Sequence, residues 1–445
     1  MLVVILCAVL FGWIVKTALQ GYREPGPTAK LALAVAGAPS EVEAVLSDLW
    51  QYANGSYEDN ALRTPRQDRD FSGFRPISGS EAFGIEGLMI GQVSNSARYG
   101  WRIVLGAFSM NGRVENAALV LSPDMAIERV WVLDEPSTVG LIPAQPAYRK
   151  FIHGFQYLSD GSFIFTLDGG VSLQRFDACG KRMWASPGYY SHSVNLADDE
   201  QSVWTVGTDE IVQIAVADGA VIRTIGMQEI VDANPEIDVF QIRRLADNDL
   251  GGNSRNTDGN WLPDPHHIND VEPLPARLAD SYRELGFAAG DLLMSARSSN
   301  LVFVLDPQTL RVKWWRIGAT QRQHDPDWEE DGTFSIFNNR MSRDYSEIVK
   351  LDPRTMQRQV LVDGRNLDFY SRIRGKHQVL PDGNVIVTSA QQGRAFEITP
   401  EGEMAFEIVN FRPGDEAVNY VLSEVLWLPP DRLDPTQTET APCSD

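Results

Sequence analysis

The chain has 445 residues, 43% apolar and 22% charged, shares that place it among globular proteins and exclude wholesale disorder. Lys and Arg total 39 against 60 Asp and Glu, and the resulting formal charge of −21 repels phosphate backbones and argues against a nucleic-acid partner. Three cysteines, Cys7, Cys179 and Cys443, are too few for a disulfide framework and lack zinc-ribbon spacing; a single bridge from Cys179 to Cys443 stays open.

Leu2 to Val15 is an unbroken apolar run followed by Lys16. It is shorter than the roughly 20 residues a membrane span needs, but a snorkelling Lys16 extends it to about Gln20. No basic stretch precedes the run, as a cleavable signal peptide would require. Residues 1–21 therefore read as an uncleaved membrane anchor, with a signal segment as the alternative. Its orientation is not set by the sequence, because Lys16, Arg23 and Lys30 on the C-terminal side oppose export of the rest of the chain.

Residues 22–85 read as a tether carrying one short helix, Glu41 to Ala53. Ser40 and Glu43 have capping-box spacing, and Val42, Val45, Leu46, Leu49 and Trp50 fall on one stripe.

From about residue 86 the pattern changes to short apolar strands that repeat. DGSFIFTLDGGVSLQRF from Asp160, DGTFSIFNNRMSRDYSEIVKL from Asp331 and DGNVIVTSAQQGRAFEI from Asp382 share one form. Looser copies start at Arg102, Gln201 and Gly290. Four strands per repeat of about 40–50 residues is the signature of propeller blades. Six such units predict an all-β, six-bladed β-propeller over residues 86–430, with a flexible tail at 431–445; a β-sandwich or solenoid is the alternative. The tail strand, Asn419 to Leu428, is placed to complete the first blade and close the ring. Insertions at 227–262 and 271–289 are expected between blades.

Five of the six histidines stand near the start of a blade's first strand. His153 and His324 each lie seven residues before an Asp-Gly turn, His377 five before, and His192 and His267 occupy similar places. First strands line the axis of a propeller, so these imidazoles are expected to ring one channel mouth, with His266 beside them. Two chemistries use such a ring. Neutral imidazoles bind a metal, here through His192, His267, His324 and His377. Alternatively, one acts as nucleophile while others hold an oxyanion.

The H…DG units, with HDPDWEEDGTFSIFNNR (His324 to Arg340) and KHQVLPDGNVIVTS (Lys376 to Ser389), resemble the bacterial arylsulfotransferases over about residues 140–430. That resemblance implies a sulfotransferase that moves a sulfuryl group from an aryl sulfate donor to a phenol-like or other hydroxyl acceptor, without a nucleotide donor or other cofactor. In the family a histidine late in the chain is transiently sulfurylated, and two further histidines and an arginine surround the sulfate. Matched by motif, the nucleophile falls on His377, the sulfate ligands on His324 and Arg340, and the remaining histidine on His267. His192, His153 and His266 are the weaker pocket candidates, and no metal is expected.

A neutral imidazole is a competent nucleophile near pH 7, and a guanidinium with imidazole N–H groups stabilises sulfuryl oxygens. Trp314, Trp315 and Trp328 read as blade filling, and the acids Asp325 to Asp331 as a solvated turn. The anchor and tether depart from the family's well-known members, which are soluble and periplasmic with an N-terminal β-sandwich. The reading is thus of a membrane-anchored protein with its propeller on the periplasmic side; its oligomeric state is not legible. A non-catalytic envelope propeller binding a polymer or partner is the other alternative.

Overall fold

A computed structural model describes residues 11, 63–143, 150–242, 264–341 and 343–433. The chain divides into two units, residues 1–58 with 243–265 and residues 59–242 with 266–445. The second unit is a six-bladed β-propeller. Apart from Phe11, the expected anchor lies outside the described residues, as do the helix at 41–53 and the tail beyond 433. Among those described, no helix is long and apolar enough to cross a membrane.

Four blades follow the chain from axis to rim. The second blade runs Phe151–Tyr157, Phe163–Asp168, Ser172–Phe176, Arg182–Pro187. The third runs Ser191–Leu196, Ser202–Val206, Glu210–Ala215, Val221–Gly226. The fourth runs Ile268–Pro273, Leu292–Ala296, Leu301–Leu305, Val312–Ile317, and the fifth His324–Trp328, Phe334–Asn338, Glu347–Leu351, Arg358–Asp363. The sixth, from Lys376–Val379 to Met404–Asn410, gains two outer strands, Leu88–Ile90 and Arg75–Pro76. In the first, Trp101–Met110, Arg113–Leu121 and Ile127–Val132 take Leu422–Leu428 as inner strand, so the end of the chain closes the ring as its sequence suggests.

The Asp-Gly repeat has a local cause. Asp160, Asp331 and Asp382 each accept the N–H two residues on through Oδ1, at 3.0, 3.1 and 3.0 Å. The glycine after each has φ of +82°, +77° and +87°, a region that favours glycine. Middle strands such as Leu301–Leu305 are buried at every position, because neighbouring blades cover both faces. Between the fourth and fifth blades Tyr282 meets Trp328 edge-on at 4.8 Å and Trp314 meets Phe334 at 5.2 Å. Trp314 and Trp328 thus fill blade contacts, while Trp315 is 39% exposed on an outer strand.

Two expectations need correction. The insertion at 271–289 falls inside the fourth blade, between its first and second strands, where a 3₁₀ turn, Ala279–Leu285, packs Tyr282 into the core. Part of the stretch expected as tether is built into the ring: Arg63–Pro65 pairs with Val418–Tyr420, and Arg75–Pro76 edges the sixth blade. Cys179 is disulfide-bonded, and Cys443, the partner the sequence left open, lies outside the described residues.

Removing Leu422–Leu428 leaves the first blade without an inner strand. A chain ending at Val421 is expected to lose the single cooperative melt of the full chain, followed by circular dichroism; an unchanged transition would contradict closure by this strand.

Candidate functional site

Five of the six inner strands carry a register shift where they approach the axis: Ile152/Phe155, Ser191/Val194, Ile268/Asp270, His324/Pro326 and Leu422/Glu424. Such bulges re-aim side chains. His153 and His192 sit within two of them, His324 borders a third, and His267 immediately precedes a fourth strand. The result is a cluster of four imidazoles. His192 lies with its ring centroid 4.1 Å from His153, 5.0 Å from His267 and 6.4 Å from His324. His192 (φ +70°), His267 (+54°), Asp325 (+53°) and Arg374 (+61°) all adopt left-handed backbone. For non-glycine residues such strain gathers at functional sites.

In the second, fourth and fifth blades the residue at the end of the second strand serves these imidazoles. Asp168 Oδ2 lies 3.5 Å from His153 Nδ1. Asn339 Oδ1 lies 2.6 Å from His324 Nδ1. The amide of Asn339 is fixed, since its Nδ2 donates to the carbonyls of Ser371 at 2.8 Å and Arg374 at 2.6 Å. Its oxygen therefore accepts, His324 donates from Nδ1, and the lone pair of the neutral ring is on Nε2. Arg297 leaves the second strand of the fourth blade and raises the positive potential at His192 and His324. Arg374, stacked 3.3 Å over the Phe151 ring, does the same at His153 and lines the crevice with His153, His192 and His324. Burial, then the neighbouring imidazoles and Arg297, push His192 well below the usual histidine range. Burial and Arg297 do the same to His324 against the Asn339 bond, and burial lowers His153 despite Asp168. Burial thus disfavours protonation of His153, His192 and His324, while Arg297 and Arg374 give the crevice a positive potential suited to an anion.

His377 does not join it. Lys376 pairs with Thr388 and His377 with Val387. Counted from the Asp-Gly turn, Thr388 corresponds to Phe337, the partner of His324. Lys376 therefore holds in the sixth blade the rung that His324 holds in the fifth. His377 stands one rung deeper and lines a separate cavity of about 520 Å³ with Asp327, Glu329 and Trp427. Asp325, Lys376 and Glu424 line both spaces and divide them. Lys376 Nζ lies 2.6 Å from Asp325 and 3.7 Å from Asp270. Although burial alone would lower it, Asp325, Asp270 and Glu424 hold the ammonium well above its ordinary range. Burial pushes Glu424 up to about 7.

The expected convergence of His267, His324 and His377 on the Arg340 guanidinium is therefore not met. Arg340 Nη1 donates to both carboxylate oxygens of Glu347 at 3.0 Å, and its guanidinium lies 4.4 Å over Tyr345, within its own blade. His266 is buried, 3.1 Å from Asp209 and 3.3 Å from the Phe240 carbonyl, away from the cluster. The four-ligand set His192, His267, His324 and His377 is likewise not assembled. Arg297, Arg374, Asn339 and Lys376 were not singled out by the sequence. The signal for Arg374 was its place in RIRGKH; for Asn339 it was the equivalence with Asp168.

The sequence profile described as Arylsulfotransferase (ASST) matches residues 154–411. The chain belongs to the arylsulfotransferase family. The match spans the second to sixth blades and all the clustered imidazoles except His153, which it just misses. No curated protein matches the chain. Among solved structures it is similar to a Bacteroides caccae protein of unknown function, at 11% identity and TM-score 0.45, covering 74% of this chain and 98% of that one. It is also similar to TolB from Acinetobacter baumannii, at 10% identity and TM-score 0.44, covering 74% and 66%. A virginiamycin B lyase from Staphylococcus aureus aligns at 11% identity and TM-score 0.36, covering 59% and 71%.

Arg340→Ala is expected to lower stability by about 1–3 kcal/mol, because the buried Glu347 loses one of its two guanidinium partners, and to leave the affinity for an aryl sulfate unchanged. Urea melts and the KM of the donor check the two halves. Glu424 makes a pH prediction. With its folded pKa raised from 4.5 to about 7, the native state binds more protons between those values, so its contribution to stability falls as pH rises through that window. Glu424→Gln is expected to flatten the stability profile there; an unchanged slope would contradict it.

Proposed function

We propose that this member of the arylsulfotransferase family transfers a sulfuryl group from an aryl sulfate to a hydroxyl acceptor, and that His324 is the residue transiently sulfurylated. One observation carries the assignment: His324 is the clustered imidazole whose tautomer is set by a fixed amide, with its Nε2 lone pair left for attack. In the first step Nε2 bonds to sulfur while the sulfur–aryl oxygen bond breaks, and phenolate leaves with the electron pair. The resulting oxyanion charge falls among Arg374, Arg297 and the other imidazoles. In the second step the acceptor oxygen bonds to sulfur and the sulfur–nitrogen bond returns its pair to the ring. A neighbouring imidazole, His192 or His267, takes the acceptor's proton.

Neutral imidazoles suit this path, since a protonated ring has no lone pair to offer. The low pKa of His324 keeps it nucleophilic below the ordinary histidine range. The charged partition of Asp325, Lys376 and Glu424 closes the crevice on its far side. A location outside the cytoplasm, with the N-terminal segment as anchor, is part of this proposal; the apolar run Leu2 to Val15 and the disulfide at Cys179 support it.

The test is incubation with a chromogenic aryl sulfate, with and without a phenol. His324→Ala is expected to abolish turnover, Arg374→Ala to cost about 10²–10³ in rate, and His377→Ala to retain transfer. Donor without acceptor should leave one sulfuryl group on the peptide holding His324. A label on the His377 peptide would return the nucleophile to the residue matched by motif. No label and no turnover would overturn the function.

A further inference from the structure

His377 faces neighbours quite different from those of the imidazole cluster. Its Nδ1 lies 3.0 Å from Asp325 Oδ2, and its Nε2 lies 2.8 Å from Ser335 Oγ and 3.5 Å from Asp327 Oδ2. Asp325, Asp327 and His377 form the one group of three ligand-type side chains, among the described residues, whose donor atoms lie within 4.8 Å of one another. We propose that this group binds a divalent first-row cation at the wall of the wide cavity. Nε2 of His377 and the Asp327 carboxylate are the ligands, and Asp325 is the carboxylate behind the ring.

Three observations lead there. Asp325 Oδ2 also accepts the backbone N–H of His377 at 2.6 Å, and its Oδ1 accepts from Lys376. Only an acceptor therefore faces Nδ1; the ring donates from that nitrogen and presents its lone pair at Nε2. A carboxylate behind a histidine in this way is how ligating imidazoles are commonly oriented.

The second observation is a missing proton. Ser335 Oγ donates to Glu329 Oε1 at 2.6 Å, so the oxygen turns a lone pair towards the lone pair of Nε2 only 2.8 Å away. With Glu329 ionised, a second proton on His377 or a cation beside Nε2 relieves this contact; a proton on Glu329, which burial favours, relieves it instead by turning the Ser335 hydroxyl to Nε2. The Asp327 carboxylate on the same side, with Glu272 and Glu329 on the cavity wall, makes a doubly charged occupant the better match. Lys376, Lys350 and Arg277 are the facing positive groups, and each already has an acidic neighbour: Asp325 and Asp270 for Lys376, Asp331 for Lys350 and Glu330 for Arg277.

The third is distance. Two ligands about 2.0–2.2 Å from a tetrahedral cation stand roughly 3.4 Å apart, close to the 3.5 Å between Nε2 and Asp327 Oδ2. Mixed nitrogen and carboxylate donors suit Zn²⁺ or Mn²⁺, and water from the cavity completes the coordination. The expectation of no metal rested on the histidine ring and on Arg340, which lie elsewhere.

The full chain is stripped with a chelator, dialysed against Zn²⁺ or Mn²⁺, and its metal content measured by mass spectrometry. About one ion per chain is expected for the wild type and for His324→Ala, and background for Asp327→Asn and His377→Ala. The metal should raise the melting temperature only where it binds. Metal-free Asp327→Asn melting with the metal-free wild type would show that the loss is not misfolding. No retained metal in the wild type, metal retained by both variants, or metal lost from His324→Ala would each overturn the site. Metal content is read without turnover, so this result stands apart from sulfuryl transfer.

Discussion

Backbone register on the propeller axis decides what each end of the channel can do. A strand alternates its side chains with period two, so one extra residue on one strand exchanges what faces the axis and what faces the blade. Bulges in the inner strands of the second to fifth blades accompany the meeting of His153, His192, His267 and His324. The sixth blade pairs without a bulge from Lys376 to Val379, and there a lysine takes the imidazoles' level while His377 drops below it. The blades that carry these strands need their own rigidity for this to hold, and they have it in middle strands buried on both faces and in the aromatic contacts between blades.

The charges follow the same division. Above the partition, buried imidazoles and the guanidiniums of Arg297 and Arg374 favour an anion. Below it, Asp327, Glu272 and Glu329 crowd one wall, and burial together with mutual repulsion pushes Asp327 and Glu272 well above their ordinary range. Burial would raise Asp325 too, but Lys376 and His377 hold it far below. Ion pairs with so little water must be nearly complete to be tolerated. The Lys376–Asp325 pair thus separates two environments of opposite sign on one axis.

Much of this was legible in the sequence. The Asp-Gly turns marked blades because the aspartate accepts the N–H two residues on and the residue between is left-handed, which glycine adopts most easily; the third blade makes the same turn less legibly with Asp199 and Glu200 (φ +53°). The tail strand was recognisable because it had the form of an inner strand with no blade after it. The histidines were read as one set, and the discrepancy was visible in their spacing: seven residues before the turn for His153 and His324, five for His377. One residue of that difference is the missing bulge, which no propensity announces. The other is a real displacement along the strand. Arg340 was misplaced for another reason. Its motif position fixed the backbone, while Glu347, seven residues on, captured the guanidinium. Asn339 and Arg297 act through equivalence between blades, which emerges only when pairing partners are aligned.

The central claim is that the oxyanion of the substrate binds among the four imidazoles and not beside His377. A crystal of the full chain grown with an aryl sulfonate, which cannot transfer its sulfur, reads this directly through the anomalous signal of sulfur. The account predicts that sulfur stands among His153, His192, His267 and His324, with Arg374 in hydrogen-bond reach of its oxygens. Sulfur in the wide cavity against His377 and Asp327 would contradict it.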